Sequence, residues 1–226
     1  LLMRRHMYFH REIDNLKKEI SIMGFQVEER VRLACGLLEN RDDDEAGRLM
    51  ISDWEIDDME VTVEEECLKI LALHQPVARD LRLVIAFIKI NGEFERIADI
   101  AANIAKRVQT LNTFTGATFT HDYQPMCQSV TEMLKKGLDA LVTEDADLAR
   151  SIFIDDEQVN LYRNQAYERV VAALNDGEGK DEGAYLLNYY LISRHLERMG
   201  DRIKNVAEEI IYLVEGEITR FSDDTP

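Results

Sequence analysis

The chain repeats itself after about half of its 226 residues, and this repetition restricts the folds that it can adopt. At an offset of 103 positions, the recurring residues are Met23 at Met126, Val27 at Val130, Leu38 at Leu141, Asp42 at Asp145, Asp44 at Asp147, Ala46 at Ala149, Ile51 at Ile154 and Asp53 at Asp156. At an offset of 102, residues 95–99 (Glu-Arg-Ile-Ala-Asp) align with residues 197–201 (Glu-Arg-Met-Gly-Asp). The sequence therefore predicts two copies of one unit, residues 10–111 and 121–221, with a linker at 112–120.

Each copy is predicted to form three helices. Apolar residues recur at three- and four-residue spacing, as on the buried face of an amphipathic helix, and only three prolines and eleven glycines interrupt the chain. The predicted helices span residues 10–40, 44–74, 78–111, 123–143, 146–174 and 183–215. Pro76 ends the second helix because proline cannot continue it, and residues 175–181 form the clearest loop. The predicted protein is all-α.

The net charge of −17 disfavours some partners and favours others. A nucleic-acid binder needs a basic surface, and an anionic membrane surface repels an acidic chain, whereas cations and basic protein patches are well matched to it. No run approaches the roughly 20 apolar residues of a membrane span, and the first residues lack the apolar segment of a secretory signal. Together with the wide separation of Cys35, Cys67 and Cys127, these features predict a cytoplasmic protein with reduced thiols.

Both copies carry acidic residues at four-residue spacing on their last helix. Residues four apart rise about 6 Å along a helix and rotate by about 40°, so that Glu95 and Asp99 lie on one strip of its surface. The apolar stripe of this helix lies on nearly the opposite side and comprises Leu83, Ala86, Ile90, Phe94, Ile97, Ala101 and Ile104. We therefore expect the acidic strip of each copy to lie outside the core, and we expect a separate charged flank that includes Glu93 to be solvated.

A second pair of polar residues belongs with each strip. Asp53 and Asp57 repeat the four-residue spacing on the middle helix, and Asp156 and Asn160 are their equivalents in the second copy. If the middle and last helices pack antiparallel, as the short connection at 75–76 requires, three or four oxygens can meet around a cation. Such ligands suit hard ions, iron or manganese. The alternative is that these acids are only solvated or paired with neighbouring arginines.

The acidic segments at 95–99 and 197–201 resemble the paired signatures of the PhoU phosphate-signalling family. Pro76 followed by Asp80-Leu81-Arg82 adds to this resemblance, which covers about residues 10–221. It implies an all-α fold of two tandem three-helix bundles related by pseudo-symmetry. It also implies a cytoplasmic homodimer that is not inserted in the membrane and that negatively regulates phosphate uptake and the phosphate-starvation response. The implied partners are the ATPase subunit of the phosphate ABC transporter and a sensor histidine kinase.

The resemblance further implies metal ligands on the acidic strips, with iron, zinc or another divalent cation as the metal. The implied ligands are Asp53, Asp57, Glu95 and Asp99 in one site, and Asp156, Asn160, Glu197 and Asp201 in the other. Because an amide oxygen brings no charge, Asn160 is expected to make the second site the weaker or emptier one.

Three functions remain open on the sequence alone. The first is a regulatory adaptor without catalytic turnover, since the five histidines are scattered and no glycine-rich phosphate loop is present. The second is a metal-binding or metal-storage bundle, or a carboxylate-bridged metalloenzyme, although the Glu-x-x-His spacing of di-iron bundles is absent. The third is a structural scaffold, which leaves the duplicated acids unexplained. His195 lies near one strip but is expected to point elsewhere on its helix.

Overall fold

The structure is a computed structural model that describes residues 2–52, 54–175 and 183–217, with side chains from Tyr8 onward. Within these ranges the regular secondary structure is entirely helical. The helices are α1 (Leu2–Asn40), α2 (Asp43–Ile51), α3 (Trp54–His74), α4 (Ala78–Asn112), α5 (Gln124–Thr143), α6 (Ala146–Asn175) and α7 (Gly183–Glu215). With α2 and α3 taken as one interrupted helix, this order matches the six predicted helices and confirms the all-α class.

The first copy contributes α1 to α4 and the second contributes α5 to α7. The unit bounds 10–111 and 121–221 stay predictions, and the end of the second unit lies outside the described residues, as does most of the loop predicted at 175–181. The first helix begins at Leu2 rather than near residue 10, and residues 113–123 connect the copies without a helix. None of the described helices is long and apolar enough to cross a membrane.

The apolar stripe predicted on α4 is buried along its whole length. Its members Leu83, Ala86, Ile90, Phe94, Ile97, Ala101 and Ile104 are at most 5% exposed. They belong to one continuous hydrophobic cluster to which all seven helices contribute. Burying a large apolar side chain such as Phe94 stabilises the fold by about 1.5–3 kcal/mol relative to leaving it exposed. Tertiary packing, more than helix propensity, therefore holds these long helices in place.

A seam in which α4 packs antiparallel to α7 joins the two copies. Lys89 Nζ lies 2.9 Å from Glu209 Oε1, and Arg107 donates to Asn188 Oδ1 at 3.1 Å. Residue numbers rise along α4 as they fall along α7, which establishes the antiparallel direction. Helices α1 and α5 also pack against each other across the two copies. The copies therefore share one core.

A left-handed turn follows the first helix of each copy at equivalent positions. Arg41 (φ 53°) and Glu144 (φ 52°) both have positive φ, which is uncommon for residues other than glycine. Each side chain reaches the other copy. The Arg41 guanidinium donates to the Tyr189 hydroxyl, and Glu144 accepts from Lys17 at 2.9 Å and from Arg79. Contacts between the copies thus help to hold both turns in a conformation that is costly in isolation.

The predicted middle helix of the first copy is interrupted at Ser52. The Ser52 hydroxyl donates to the backbone oxygen of Leu49 at 3.2 Å. The Arg30 guanidinium, on a residue that is 5% exposed, donates to the backbone oxygens of Leu49 and Ser52. These donors satisfy carbonyl groups at the end of α2 that lack a partner within the helix. Asp53, the next residue, lies outside the described residues.

Gly24 lies where α1 crosses α5, and we expect Gly24→Ala to be less stable than Gly36→Ala. A Cβ atom at Gly24 would overlap the Leu138 side chain and lie 3.2 Å from Phe94, whereas nothing lies within 4 Å of the same atom at Gly36. Both substitutions gain about 1 kcal/mol of helix propensity. Only the first also incurs overpacking, which costs about 1–3 kcal/mol. Urea-unfolding midpoints measure the difference, and equal midpoints for the two variants would contradict the close crossing.

Candidate functional site

Antiparallel packing of α3 against α4 brings acidic residues together in the first copy. Asn91 Nδ2 donates to the backbone oxygen of Glu60 at 2.8 Å, which sets the register of the two helices. In this register Asp57 and Glu60 on α3 are close enough to Glu95 on α4 for their charges to act on its carboxyl group. These residues and Asp99 are called the first acidic strip.

The first acidic strip carries like charges without an ion-paired base. Burial, followed by the charges of Asp99, Glu60 and Asp57, raises the pKa of Glu95 from 4.5 to about 7, against an opposing effect of Arg96. The Arg96 guanidinium is paired elsewhere, at 2.7 Å from Glu93, and no ion pair involves a strip member in the part of the chain that the structure describes. Asp57 and Asp99 are exposed, while Glu60 and Glu95 are half-buried. The strip is therefore an open surface that favours an additional positive charge.

The equivalent positions of the second copy lie between α6 and α7, and their acids are paired with basic side chains. Asp156 is 3% exposed, and Lys204 Nζ lies 2.7 Å from its Oδ2 and 3.1 Å from Oδ1 of Asp201. Asn160 Nδ2 donates to the same Asp156 Oδ2 at 3.0 Å. Asp156, Asn160, Glu197 and Asp201 are called the second acidic strip.

Two arginines hold Glu197, the remaining acid of the second acidic strip. Glu197 is 7% exposed, its Oε1 lies 3.1 Å from Arg163 Nη2, and its Oε2 accepts from Arg194. Burial disfavours the charge on Lys204, but its bonds to Asp156 and Asp201 outweigh this and raise the Lys204 pKa above its ordinary value. Every acid of the second strip thus has a charged basic partner within the chain.

The prediction that both strips lie outside the core is wrong for the second copy, where Asp156 and Glu197 are buried. Gly200 makes room for the first of them, since a Cβ atom there would lie 2.8 Å from Asp156 Oδ1. The expectation that Glu93 is solvated is also wrong, because Glu93 is 8% exposed and lies 3.5 Å from Arg202 across the seam. Basic side chains accompany each of these carboxylates, and burial of the charge is tolerable for that reason.

Three basic residues around the second strip were not predicted from the spacing of the acids. The alignment of the two copies does show that these positions differ in charge. These residues and their first-copy equivalents are Arg163 for Glu60, Arg194 for Gly92 and Lys204 for Ala102. A comparison that looks for shared acids passes over positions at which the copies differ in charge. Asn160, from which a weaker second site was expected, is therefore accompanied by three further differences in charge around the strips.

His195 belongs to neither strip. Both of its ring nitrogens are buried without a hydrogen-bond partner among the described residues. Burial, followed by the charges of Arg107 and Arg198, lowers the His195 pKa from 6.5 to about 4. The imidazole is therefore neutral near pH 7, and the charges that act on it come from arginines rather than from strip carboxylates.

The donor chemistry of the first strip fits a divalent cation, whereas that of the second does not. Open carboxylates suit such ions, but in the second strip basic groups already contact the carboxylate oxygens. No three histidine, cysteine, aspartate or glutamate side chains form a metal-binding arrangement among the described residues, which exclude Asp53. Metal binding by the predicted ligands of either copy stays a prediction.

Comparison with known proteins connects this duplicated geometry to a family. The family model described as "PhoU domain" matches residues 20–108 and 124–210, with one match in each copy. The chain belongs to the PhoU family.

PhoU relatives resemble the chain along most of its length. The Serratia marcescens protein named "Phosphate-specific transport system accessory protein PhoU" is 34% identical over 221 residues, which cover 94% of this chain and 86% of the relative. The crystal structure of the phosphate transport system regulatory protein PhoU from Streptococcus pneumoniae superposes with a TM-score of 0.87 at 28% identity, covering 94% of this chain and 100% of that chain. The crystal structure of PhoU from Pseudomonas aeruginosa superposes with a TM-score of 0.85 at 33% sequence identity, covering 92% of this chain and 100% of that chain. These likenesses confirm the predicted PhoU-like fold of two tandem bundles.

Glu95→Gln is expected to stabilise the protein at pH 8 and to have little effect at pH 4. The folded state holds the Glu95 proton up to about pH 7, whereas an unfolded chain releases it near pH 4.5. Stability associated with this proton is therefore complete below pH 4.5 and lost as the pH rises through 7. Because solvent screens a half-buried group, we expect a gain of only about 1 kcal/mol at pH 8. Urea unfolding of the variant and of the unmodified protein at pH 4 and pH 8 measures this difference in the free energy of unfolding.

Glu197→Gln is the matched control, since Glu197 is the repeat equivalent of Glu95. This substitution weakens two ion pairs and leaves Arg163 and Arg194 without their carboxylate. We expect a loss of about 1–3 kcal/mol at pH 8. Stability changes of the same sign for the two variants at pH 8 would refute the electrostatic difference between the strips.

Proposed function

We propose that this protein is a regulatory accessory protein of phosphate transport that has no catalytic turnover of its own. The observation that carries the proposal is the match to PhoU proteins in both copies, extending over 94% of the chain. The similar proteins from Serratia marcescens and Streptococcus pneumoniae are named as an accessory protein and a regulatory protein, respectively. A protein with such a role acts by contact, which requires surfaces for partners rather than a reaction pocket.

We propose further that the protein works in the cytoplasm as a homodimer and negatively regulates phosphate uptake and phosphate-starvation signalling. Its partners in this proposal are the ATPase subunit of the phosphate ABC transporter and a sensor histidine kinase. The net charge of −17 and the uncompensated first acidic strip favour partners with basic patches. Light scattering on the purified protein tests the homodimer, and a monomer at micromolar concentration would refute it.

An apolar surface near the first acidic strip supports the contact role. Ile51 and Trp54 are 76% and 63% exposed, and they line a cavity of about 510 Å³ at the α2–α3 interruption. Exposed tryptophan beside charged residues is typical of residues that dominate binding energies at protein interfaces. Ile154, the repeat equivalent of Ile51, is 71% exposed on α6 and provides a matched control surface.

Ile51→Ser combined with Trp54→Ser is expected to reduce partner binding by about thirtyfold, which corresponds to about 2 kcal/mol of lost interface contact. Ile154→Ser should leave binding unchanged. The assay is pulldown of the ATPase subunit and the sensor kinase from phosphate-replete and phosphate-starved cells, followed by titration with each purified partner. Failure of the unmodified protein to capture either partner under both conditions would refute the adaptor role. Equal losses in the two variants would refute this surface.

We also propose that the first acidic strip and the neighbouring Asp53 bind iron, zinc or another divalent cation, with Asp53, Asp57, Glu95 and Asp99 as the ligands. Support comes from the carboxylates that crowd around Glu95, which together with its burial raise its pKa, and from the lack of an ion-paired base among the described residues of the strip. Carboxylate oxygens are the ligands that such a cation needs. The alternative function, metal storage or carboxylate-bridged catalysis, predicts large metal loads per chain or redox turnover, which metal analysis of the purified protein distinguishes from a few tightly held ions.

Glu95→Ala combined with Asp99→Ala is expected to abolish divalent-cation binding while leaving the helices intact. Neither side chain belongs to the buried stripe of α4, so their removal leaves the core unchanged. Calorimetric titration with Mn²⁺ measures binding, and far-ultraviolet circular dichroism monitors helix content. Unchanged Mn²⁺ affinity would refute the site, and a large loss of helical signal would instead indicate that the strip is structural.

A further inference from the structure

We infer that Lys204, together with Arg163 and Arg194, closes the second acidic strip to metal ions, so that the chain has one strip that can accept a cation and one that is neutralised from within. This inference builds on the proposed function, because it assigns the cation site to one of two homologous strips. It also assigns to three basic residues a role in deciding where metal binds.

The position of Lys204 carries the inference. Its ammonium group contacts carboxylates from two different helices, Asp156 on α6 at 2.7 Å and Asp201 on α7 at 3.1 Å. A cation bound between these helices would lie beside this ammonium group and would be repelled by its charge. The Lys204 side chain is only 16% exposed, so that its charge stays at this junction rather than in solvent.

Arginines occupy the other end of the second strip. Arg163 and Arg194 contact different oxygens of Glu197, so a metal ion at either oxygen would lie beside a positively charged guanidinium. Charge-assisted contacts of this kind are stronger than neutral hydrogen bonds, and a metal ion would have to displace two of them. Asp156 Oδ1 is the one carboxylate oxygen of Asp156 without a hydrogen-bond partner among the described residues. It lies tightly against Gly200, and a single buried oxygen does not make a metal site.

The first copy supplies an internal comparison on the same helical frame. Ala102 replaces the lysine, Gly92 replaces one arginine, and Glu60 replaces the other with a residue of opposite charge. The acids that the copies share have equivalent positions in sequence. The two strips therefore differ chiefly in whether basic side chains are present.

The test measures Mn²⁺ binding by the 226-residue chain in a background that carries Glu95→Ala and Asp99→Ala. In this background, Arg163→Glu, Arg194→Gly and Lys204→Ala are added together, which replaces the three bases with the residues of the first copy and leaves Asn160 unchanged. We expect the combined variant to bind Mn²⁺ at least tenfold more tightly than the background protein. Electron paramagnetic resonance of free Mn²⁺ and calorimetry give affinity and stoichiometry. Arg150→Ala is the control, since Arg150 also bridges two acids, Asp147 and Glu215, away from the strip.

The outcomes separate this inference from the proposed metal site of the first copy. A folded combined variant that gains no Mn²⁺ affinity would overturn the inference, as would an equal gain in Arg150→Ala. Unmodified protein that binds no Mn²⁺ would refute the first site but leave the predicted gain in the combined variant intact. If the combined variant fails to fold, Lys204→Ala alone in the same background is measured instead. We expect a smaller gain of about threefold, and its absence in that folded variant would overturn the inference.

Discussion

The antiparallel seam between α4 and α7 determines how both copies are built. Each of these helices buries apolar residues in the common core and carries an acidic strip toward the middle helix of its own copy. Contacts such as Lys89 with Glu209 and Glu93 with Arg202 fix the register along the seam. The continuous hydrophobic cluster supplies most of the stabilisation, because exposed ion pairs contribute little. A shift of α4 along α7 would therefore disturb both copies together.

The strips illustrate how one backbone frame supports opposite electrostatic states. In the first, exposure of Asp57 and Asp99 lets solvent moderate the repulsion between carboxylates, while burial and this repulsion together raise the pKa of Glu95. In the second, Asp156 and Glu197 are buried, and burial requires a basic partner for each. The burial of the carboxylates and the presence of basic partners thus differ together between the two strips. A copy that retained the buried acids without the bases would be less stable until a cation took their place, whereas a copy with exposed acids needs no internal partner.

Much of the fold could be predicted from sequence, because helix periodicity decides which faces are buried and repetition decides how often the unit occurs. Positions such as Phe94 follow directly from the apolar spacing. The interruption at Ser52 could not be predicted in this way, since it depends on Arg30 from another helix. The acids of the strips were found by their four-residue spacing. Whether each acid is solvated or buried depends on basic residues that helix packing places beside it. For Glu197 these residues are Arg194, three positions earlier on the same helix, and Arg163 on the neighbouring helix α6.

The pseudo-symmetry of the two copies has a consequence for molecular orientation. Related copies present a binding partner with two similar contours, and shape alone distinguishes poorly between the two ways of docking. The uneven distribution of basic residues around the strips reduces this ambiguity, because the acids of the second strip are ion-paired within the chain while those of the first are not. A basic patch on a partner is therefore attracted more strongly to the first strip than to the second once it comes close to either. Divergence between the copies thus makes two surfaces of similar shape electrostatically different.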